Sequence, residues 1–265
     1  MSPLRRFSLP EVIAANEDNI AEAYAALYSG WDEALSHDGR DVVWGLTRIP
    51  SAMINNATRV RFLEEQAGDA LDAIIAEANA RRVPMRWWLG PGTKPADTGK
   101  RLELRGFSHV QLTGMAIRLA SFQAPSIEPI LHVERVRDAR QLQAWCTVLA
   151  TGFSVPQMAA DAFGRAFATI GLDSPYWHLY LAYLDGAPVA ASSMYLGANV
   201  AGIYNVATLP KARGKGAGSA VTYAPLTVAH HAGYHLGTLQ ASRLGYGVYR
   251  RLGFEEVCPF HLYVS

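Results

Sequence analysis

The residue types and spacings most able to do chemistry lie between positions 206 and 221, in Val-Ala-Thr-Leu-Pro-Lys-Ala-Arg-Gly-Lys-Gly-Ala-Gly-Ser-Ala-Val. An apolar run ends at Leu209-Pro210. Lys211, Arg213 and Lys215 then alternate with small residues, and a helix-forming stretch follows Gly214, Gly216 and Gly218. Glycines let successive backbone N–H groups come close to an anion, and a helix N-terminus adds roughly half a positive charge. A diphosphate is the guest that such a turn fits. The spacing is not that of a Walker A loop, because no Gly-Lys-Ser/Thr occurs and Lys215 precedes Gly216. Nor is it a dinucleotide fingerprint. The three glycines alternate, and the positions about twenty residues on, around His231 to Leu236, hold no acidic residue. What remains is Arg-x-x-Gly-x-Gly, filled by Arg213, Gly216 and Gly218.

Farther along, Tyr249-Arg250-Arg251-Leu252-Gly253-Phe254 sets a tyrosine four residues before the Gly of a Gly-Phe pair. The loop and this segment, with Thr208-Leu209-Pro210 before them, resemble the GNAT superfamily of N-acetyltransferases. The resemblance is close over residues 203–254 and extends over the second half of the chain from Pro129. It implies acetyl-CoA as cosubstrate and no metal. The pyrophosphate would lie on the backbone amides of Arg213, Gly214, Lys215, Gly216, Ala217 and Gly218. A bulged preceding strand would hold the pantetheine arm and thioester near Ala207 and Thr208. Tyr249 would protonate the departing thiolate. The family often has an Asn that contacts CoA seven residues before the tyrosine, and Ser242 stands there.

The resemblance also has a gap. The family often draws a general base from a Glu on the bulged strand, yet residues 201–209 contain no carboxylate. Tyr204 and Asn205 could hold a water there, but neither is a base at neutral pH. The expected activity is transfer of an acetyl group to a primary amine of a small molecule or peptide by direct attack on the thioester. The missing base leaves a second reading open, a non-catalytic CoA-binding or regulatory protein. A larger acyl group would suit the same architecture.

These residues need a frame. Helical spacing runs through Val12, Ile13, Ile20, Ala23, Tyr24, Leu27 and Tyr28, and again through Phe62, Ala70, Leu71, Ile74 and Ile75. Residues 41–49, 85–89 and 111–119 read as strands, the second stopped by Gly90-Pro91-Gly92, and residues 98–105 as a short helix. Turn residues at Pro125 to Pro129 place a domain boundary, giving units 1–125 and 126–265. In the second unit, strands are expected at 130–136, 177–184, 189–196, 201–209, 238–241 and 257–264, and helices at 139–150, 157–170, 218–232 and 246–251. Leu104-Arg105-Gly106-Phe107 echoes Arg251-Leu252-Gly253-Phe254. The fold class is therefore α/β, with two GNAT-like units, each a mixed sheet flanked by helices, the first lacking the glycine loop. The Gly90-Pro91-Gly92 turn is a poor substitute, because proline lacks an N–H.

The composition narrows the partners. The 265 residues carry a formal net charge of +1 and are half hydrophobic, which argues against a nucleic-acid partner and for a sizeable core. Residues 187–210 are uncharged, but Ser192, Ser193, Asn199, Asn205 and two glycines make them two strands rather than a membrane span. The N-terminus develops no long apolar segment. Cys146 and Cys258 show neither a disulfide framework nor a zinc spacing. A cytoplasmic protein is expected. His231 and His235 have the spacing of a helical metal pair, but Gly233 interrupts the helix. Trp87 and Trp88 could line an acceptor pocket, but adjacent tryptophans on a strand should point to opposite faces, with at least one in the core. Trp177, His178, Tyr180 and Tyr183 read as strand packing.

Overall fold

The computed structural model describes residues 7–121 and 131–265, so the expected domain boundary lies outside the described residues. The chain begins with α1 (Leu9–Ser29), whose start is set by a capping box. Glu11 N–H donates to Ser8 Oγ, and the Glu11 carboxylate accepts from Ser8 N–H at 2.8 Å. Then follow β1 (Leu35–Asp38), β2 (Val43–Leu46), β3 (Asn56–Thr58), α2 (Ala67–Arg81), β4 (Arg86–Leu89), α3 (Thr98–Glu103) and β5 (Ser108–Arg118). The second unit comprises β6 (Leu131–Arg135), α4 (Ala139–Phe153), α5 (Gln157–Ile170), β7 (Trp177–Leu184), β8 (Ala187–Gly197), β9 (Val200–Thr208), α6 (Ala217–His231), β10 (Leu236–Ala241), α7 (Tyr246–Leu252) and β11 (Glu255–Val264).

The eleven strands of the described residues form one sheet in the order β1-β2-β3-β4-β11-β5-β10-β9-β8-β7-β6. The two sheets expected from the sequence are thus joined. Pairing is antiparallel except for β3 with β4 and β9 with β10. In each unit a helix crosses between the parallel strands, and a short helix then leads to a closing strand: β3-α2-β4-α3-β5 and β9-α6-β10-α7-β11. The closing strands are exchanged. β11 pairs with β4 of the first unit, β5 pairs with β10 of the second, and β5 and β11 pair with each other from Ser108↔Val264 to Ala116↔Glu255. This joins what would otherwise be exposed sheet edges.

Alternation along the strands divides the core. On one face Trp87 and Leu89 of β4, Leu102 of α3 and Tyr263 of β11 pack with Leu71 and Ile74 of α2, while Met115, Leu239, Val221 and Phe254 pack around α6. On the other face Leu112, Phe260 and Leu262 meet Val12 and Ile20 of α1, and Trp145, Phe163 and Phe167 of α4 and α5 cover Leu179 and Ala191. Helix α1 serves both units. Asn19 Nδ2 donates to Gly197 O at 2.8 Å, Ala198 N–H donates to Glu22 at 2.7 Å, and Tyr28 Oη donates to Ile54 O at 2.9 Å. Among the described residues, no helix is long and apolar enough to cross a membrane.

Candidate functional site

The site grows from a defect in strand pairing. Ala191 lies opposite Ala207 and Ser193 opposite Tyr204, so β9 has one residue more than β8 between these pairs. Asn205 absorbs it with a φ of +54°, and its Nδ2 donates to Ser193 Oγ at 2.9 Å. On its other side, β9 pairs with β10 only at Ala201↔Gly237 and Gly202↔Thr238. Beyond these pairs the two strands part, while β10 stays paired with β5 from Leu236 to Ala241.

After β9 the chain makes a 3-10 turn at Pro210–Ala212 and enters the glycine loop. Gly214 and Gly216 have φ of +80° and +81°, the left-handed region that favours glycine. Gly216 is the N-cap of α6, and no side chain caps the helix. Ala217, Gly218 and Ser219 therefore present first-turn N–H groups with no intrahelical acceptor. Gly218 lies against Thr208: a Cβ at Gly218 would sit 3.1 Å from Thr208 Oγ1. Ala207 is buried under the C-terminal end of α4, near Gly152. Lys211, Arg213 and Lys215 are exposed.

A cavity of about 530 Å³ opens where β9 and β10 separate. Its lining draws on both faces of the sheet, with Ile203, Leu239 and Tyr249 from one side and Leu27, Phe163 and Leu262 from the other. Of the residues singled out in the sequence, Trp88, Trp177, Tyr204, Asn205, Ser242 and Tyr249 line it, whereas Ala207, Thr208 and the loop residues 213–218 are not in its lining. Ser242 follows β10 directly, and its Oγ accepts a hydrogen bond from Gly245 N–H at the entry to α7. Tyr249 is buried, its ring edge-on to Phe254 at 5.9 Å, and burial raises its phenol pKa above the ordinary value. No hydrogen bond engages its hydroxyl among the described residues. Desolvation likewise raises Tyr24 and Tyr204, and Tyr204 Oη donates to Asn19 Oδ1 at 2.5 Å.

The first unit supplies one wall, with Tyr24 from α1, Met53, and Arg86 and Trp88 from β4; of these, Met53 and Arg86 were not picked out in the sequence. Alternation puts Trp87 in the core and Trp88 on the cavity, as expected for adjacent tryptophans on a strand. That same alternation in Arg86-Trp87-Trp88 was the available signal for Arg86. Of Trp177, His178, Tyr180 and Tyr183, Trp177 reaches the cavity. Burial and nearby Arg135 lower the His178 pKa to about 4. No group of three or more His, Cys, Asp or Glu is arranged to hold a metal among the described residues.

Comparison with known proteins agrees with this architecture. Residues 175–256 match the acetyltransferase (GNAT) domain family model. No curated protein matches the sequence. A GCN5-related N-acetyltransferase from Kribbella flavida superposes with a TM-score of 0.69 at 18% identity, covering 92% of this chain and 95% of that one. One from Sphaerobacter thermophilus gives 0.61 at 17% identity, with 98% and 93% covered. A tandem GNAT protein from the clavulanic acid biosynthesis pathway gives 0.59 at 13% identity over 100% and 96%. The fold of this chain over nearly the full length is that of GNAT proteins, one of them a tandem GNAT protein.

Proposed function

We propose that the protein is an acetyl-CoA-dependent N-acetyltransferase acting on a primary amine of a small molecule or peptide. The observation that carries the reading is the joining of a parted β9/β10 pair, a glycine turn leading to an uncapped helix start, and a buried tyrosine hydroxyl on the cavity between them. In this reading the loop amides of residues 213–218 take the diphosphate. The backbone at Ala207 and Thr208 and the side chain of Ser242 guide the arm toward the cavity.

The amine nitrogen attacks the thioester carbonyl carbon, forming a C–N bond and placing negative charge on oxygen. Collapse breaks the C–S bond, and Tyr249 Oη–H gives its proton to the sulfur. A tyrosine hydroxyl is protonated at neutral pH and so has a proton to give. The nitrogen's excess proton passes to water, and the tyrosine is reprotonated from solvent. Among the described residues the cavity lining contains no carboxylate, and its one charged side chain is that of Arg86. An apolar wall and a cation both disfavour an ammonium ion, so the acceptor enters as the free amine.

The test combines calorimetry of CoA binding with thiol release from acetyl-CoA across an amine panel. Binding together with acceptor-dependent thiol release is expected. Binding without release for any acceptor would instead favour the non-catalytic CoA-binding reading, and absence of binding would reject both.

A further inference from the structure

We propose that Arg86 makes the protein select acceptors that carry a carboxylate at the end remote from the reacting amine. This rests on the acyltransferase reading above and adds a substrate class to it. The guanidinium of Arg86 is held in place by neutral groups. Nε donates to Asn56 Oδ1 at 3.2 Å, Nη2 donates to Met53 O at 2.5 Å, and the carbon at its centre stands 5.5 Å from the Trp88 ring centroid. Asn56 Oδ1 also accepts from Trp88 Nε1 at 3.0 Å, so the two cavity-facing side chains of β4 share one anchor. No carboxylate lies within ion-pair distance of Arg86 among the described residues. A fixed fork of N–H donors with its charge unmatched, on the wall of a largely apolar cavity, is built for a planar anion. One cation faces the cavity, which suits a monoanion better than a phosphate dianion.

Placement within the sheet adds a length. Strand β4 is separated from β10 by β11 and β5, three strand spacings or about 14 Å. Between them lie Leu112, Leu262 and Val264. An acceptor whose carboxylate meets Arg86 while its amine reaches the β9/β10 opening therefore has an apolar body between its two ends. Tyr24 and Trp88 flank that body on the Arg86 side.

The test compares 11-aminoundecanoate, whose extended chain is about as long as that span, with its primary amide and with undecylamine at saturating acetyl-CoA. The wild-type kcat/KM for the carboxylate should exceed both others by about tenfold or more, the effect of one charge-assisted hydrogen-bonded contact. Arg86→Met should bring the three together, and Arg86→Lys should restore part of the preference. If none of the three is turned over, hexanoate against hexanamide in calorimetry with CoA present makes the same comparison in wild-type protein, whatever the variants do to folding. Equal rates, equal binding, or no binding of either probe would overturn the proposal, as would an alkyl phosphonate outcompeting hexanoate. Failure of CoA to bind at all would instead bring down the acyltransferase reading.

Discussion

The passage from β3 to α2 and the passage from β9 to α6 occupy the same step of a repeated scaffold, yet their backbones are spent differently. In the first unit residues 59–66 read Arg-Val-Arg-Phe-Leu-Glu-Glu-Gln, with no glycine. Their amides are used internally: Arg61 N–H donates to Asp41 O at 2.7 Å, Phe62 N–H to Lys94 O at 3.0 Å and Gln66 N–H to Leu63 O at 3.1 Å. Glu64, Glu65 and Asp69 gather at the start of α2. Glu64 pairs with Arg101, and the other two carboxylates there repel a diphosphate. The second unit has glycines at the same place; neither helix start carries a side-chain cap, but in the first unit Leu63 O takes the Ala67 N–H at the start of α2.

The short helices differ in the same way. Phe107 N–H donates to Leu102 O at 3.2 Å, as Phe254 N–H donates to Tyr249 O at 3.0 Å, and Gly106 and Gly253 both have positive φ. The helix stop is therefore duplicated. The side chain one turn back is Leu102 in one unit and Tyr249 in the other, both buried. Scaffold and chemistry are separable. The repeat preserves where a group stands, and a hydroxyl and some unpaired amides decide what can happen there.

The sharpest way to break this comparison is to equalise the two short helices. Tyr249→Phe keeps the ring packing and removes the hydroxyl, so kcat should fall by about a hundredfold while KM for acetyl-CoA and thermal stability barely move. Leu102→Ala should do the reverse, costing about 2–5 kcal/mol of stability with the turnover of the folded fraction unchanged. Wild-type turnover in Tyr249→Phe, with chemistry rate-limiting, would reject the acid role.

The loops come next. Gly216→Val places a β-branched side chain at a positive φ beside the cradle, and CoA affinity should weaken at least tenfold, about 1.4 kcal/mol. Gly68→Val, in the first turn of α2, meets open space and should leave CoA affinity as it was. Calorimetry should return one CoA per chain; two equivalent sites would mean that the first loop binds as well.

The smallest effect concerns the Gly90-Pro91-Gly92 turn. Gly92 N–H donates to Glu17 Oε1 at 2.9 Å, so a carboxylate of the chain itself occupies that turn. Burial raises the Glu17 pKa, with the Gly92 hydrogen bond opposing. A raised carboxyl favours the folded state less as pH climbs through the carboxylate range. Glu17→Gln keeps an acceptor for Gly92 and removes the charge. It should raise Tm at pH 7 by about 2 °C, and the gain should vanish in acid. A lower Tm at pH 7 would show that the charge is compensated.

Much of this was readable from the sequence because it is local. The bounds of α5 and β7 follow from periodicity and from the Asp185-Gly186 turn, and the glycine loop and the Gly-Phe echo are contiguous strings. What escaped is non-local. Strand β3 is three residues long, and its Asn56 is buried through bonds to Tyr28, Arg86 and Trp88, which lie far away in the chain. The counterpart of the glycine loop is residues 59–66, before α2, whereas the Gly90-Pro91-Gly92 turn follows β4. The exchange of β5 and β11 leaves no trace in hydrophobic period, because both strands alternate equally well beside either partner. Arg86 was missed for the same reason: its neighbours in the cavity come from α1, β5, β9, β10 and β11.

The position of β11 has a consequence for biosynthesis. Chains emerge from the ribosome N-terminus first, and a leading domain ordinarily completes itself while the remainder is still being made. Here β4 and β5 have nothing between them until β11 exists, and β11 is made after every other described strand. The first unit must wait through most of translation with two unmatched strand edges, and both halves close in one late step. A nascent chain stalled short of residue 255 would leave β4 and β5 unjoined, which makes the last ten strand residues, Glu255–Val264, the point where the two parts of the sheet become one.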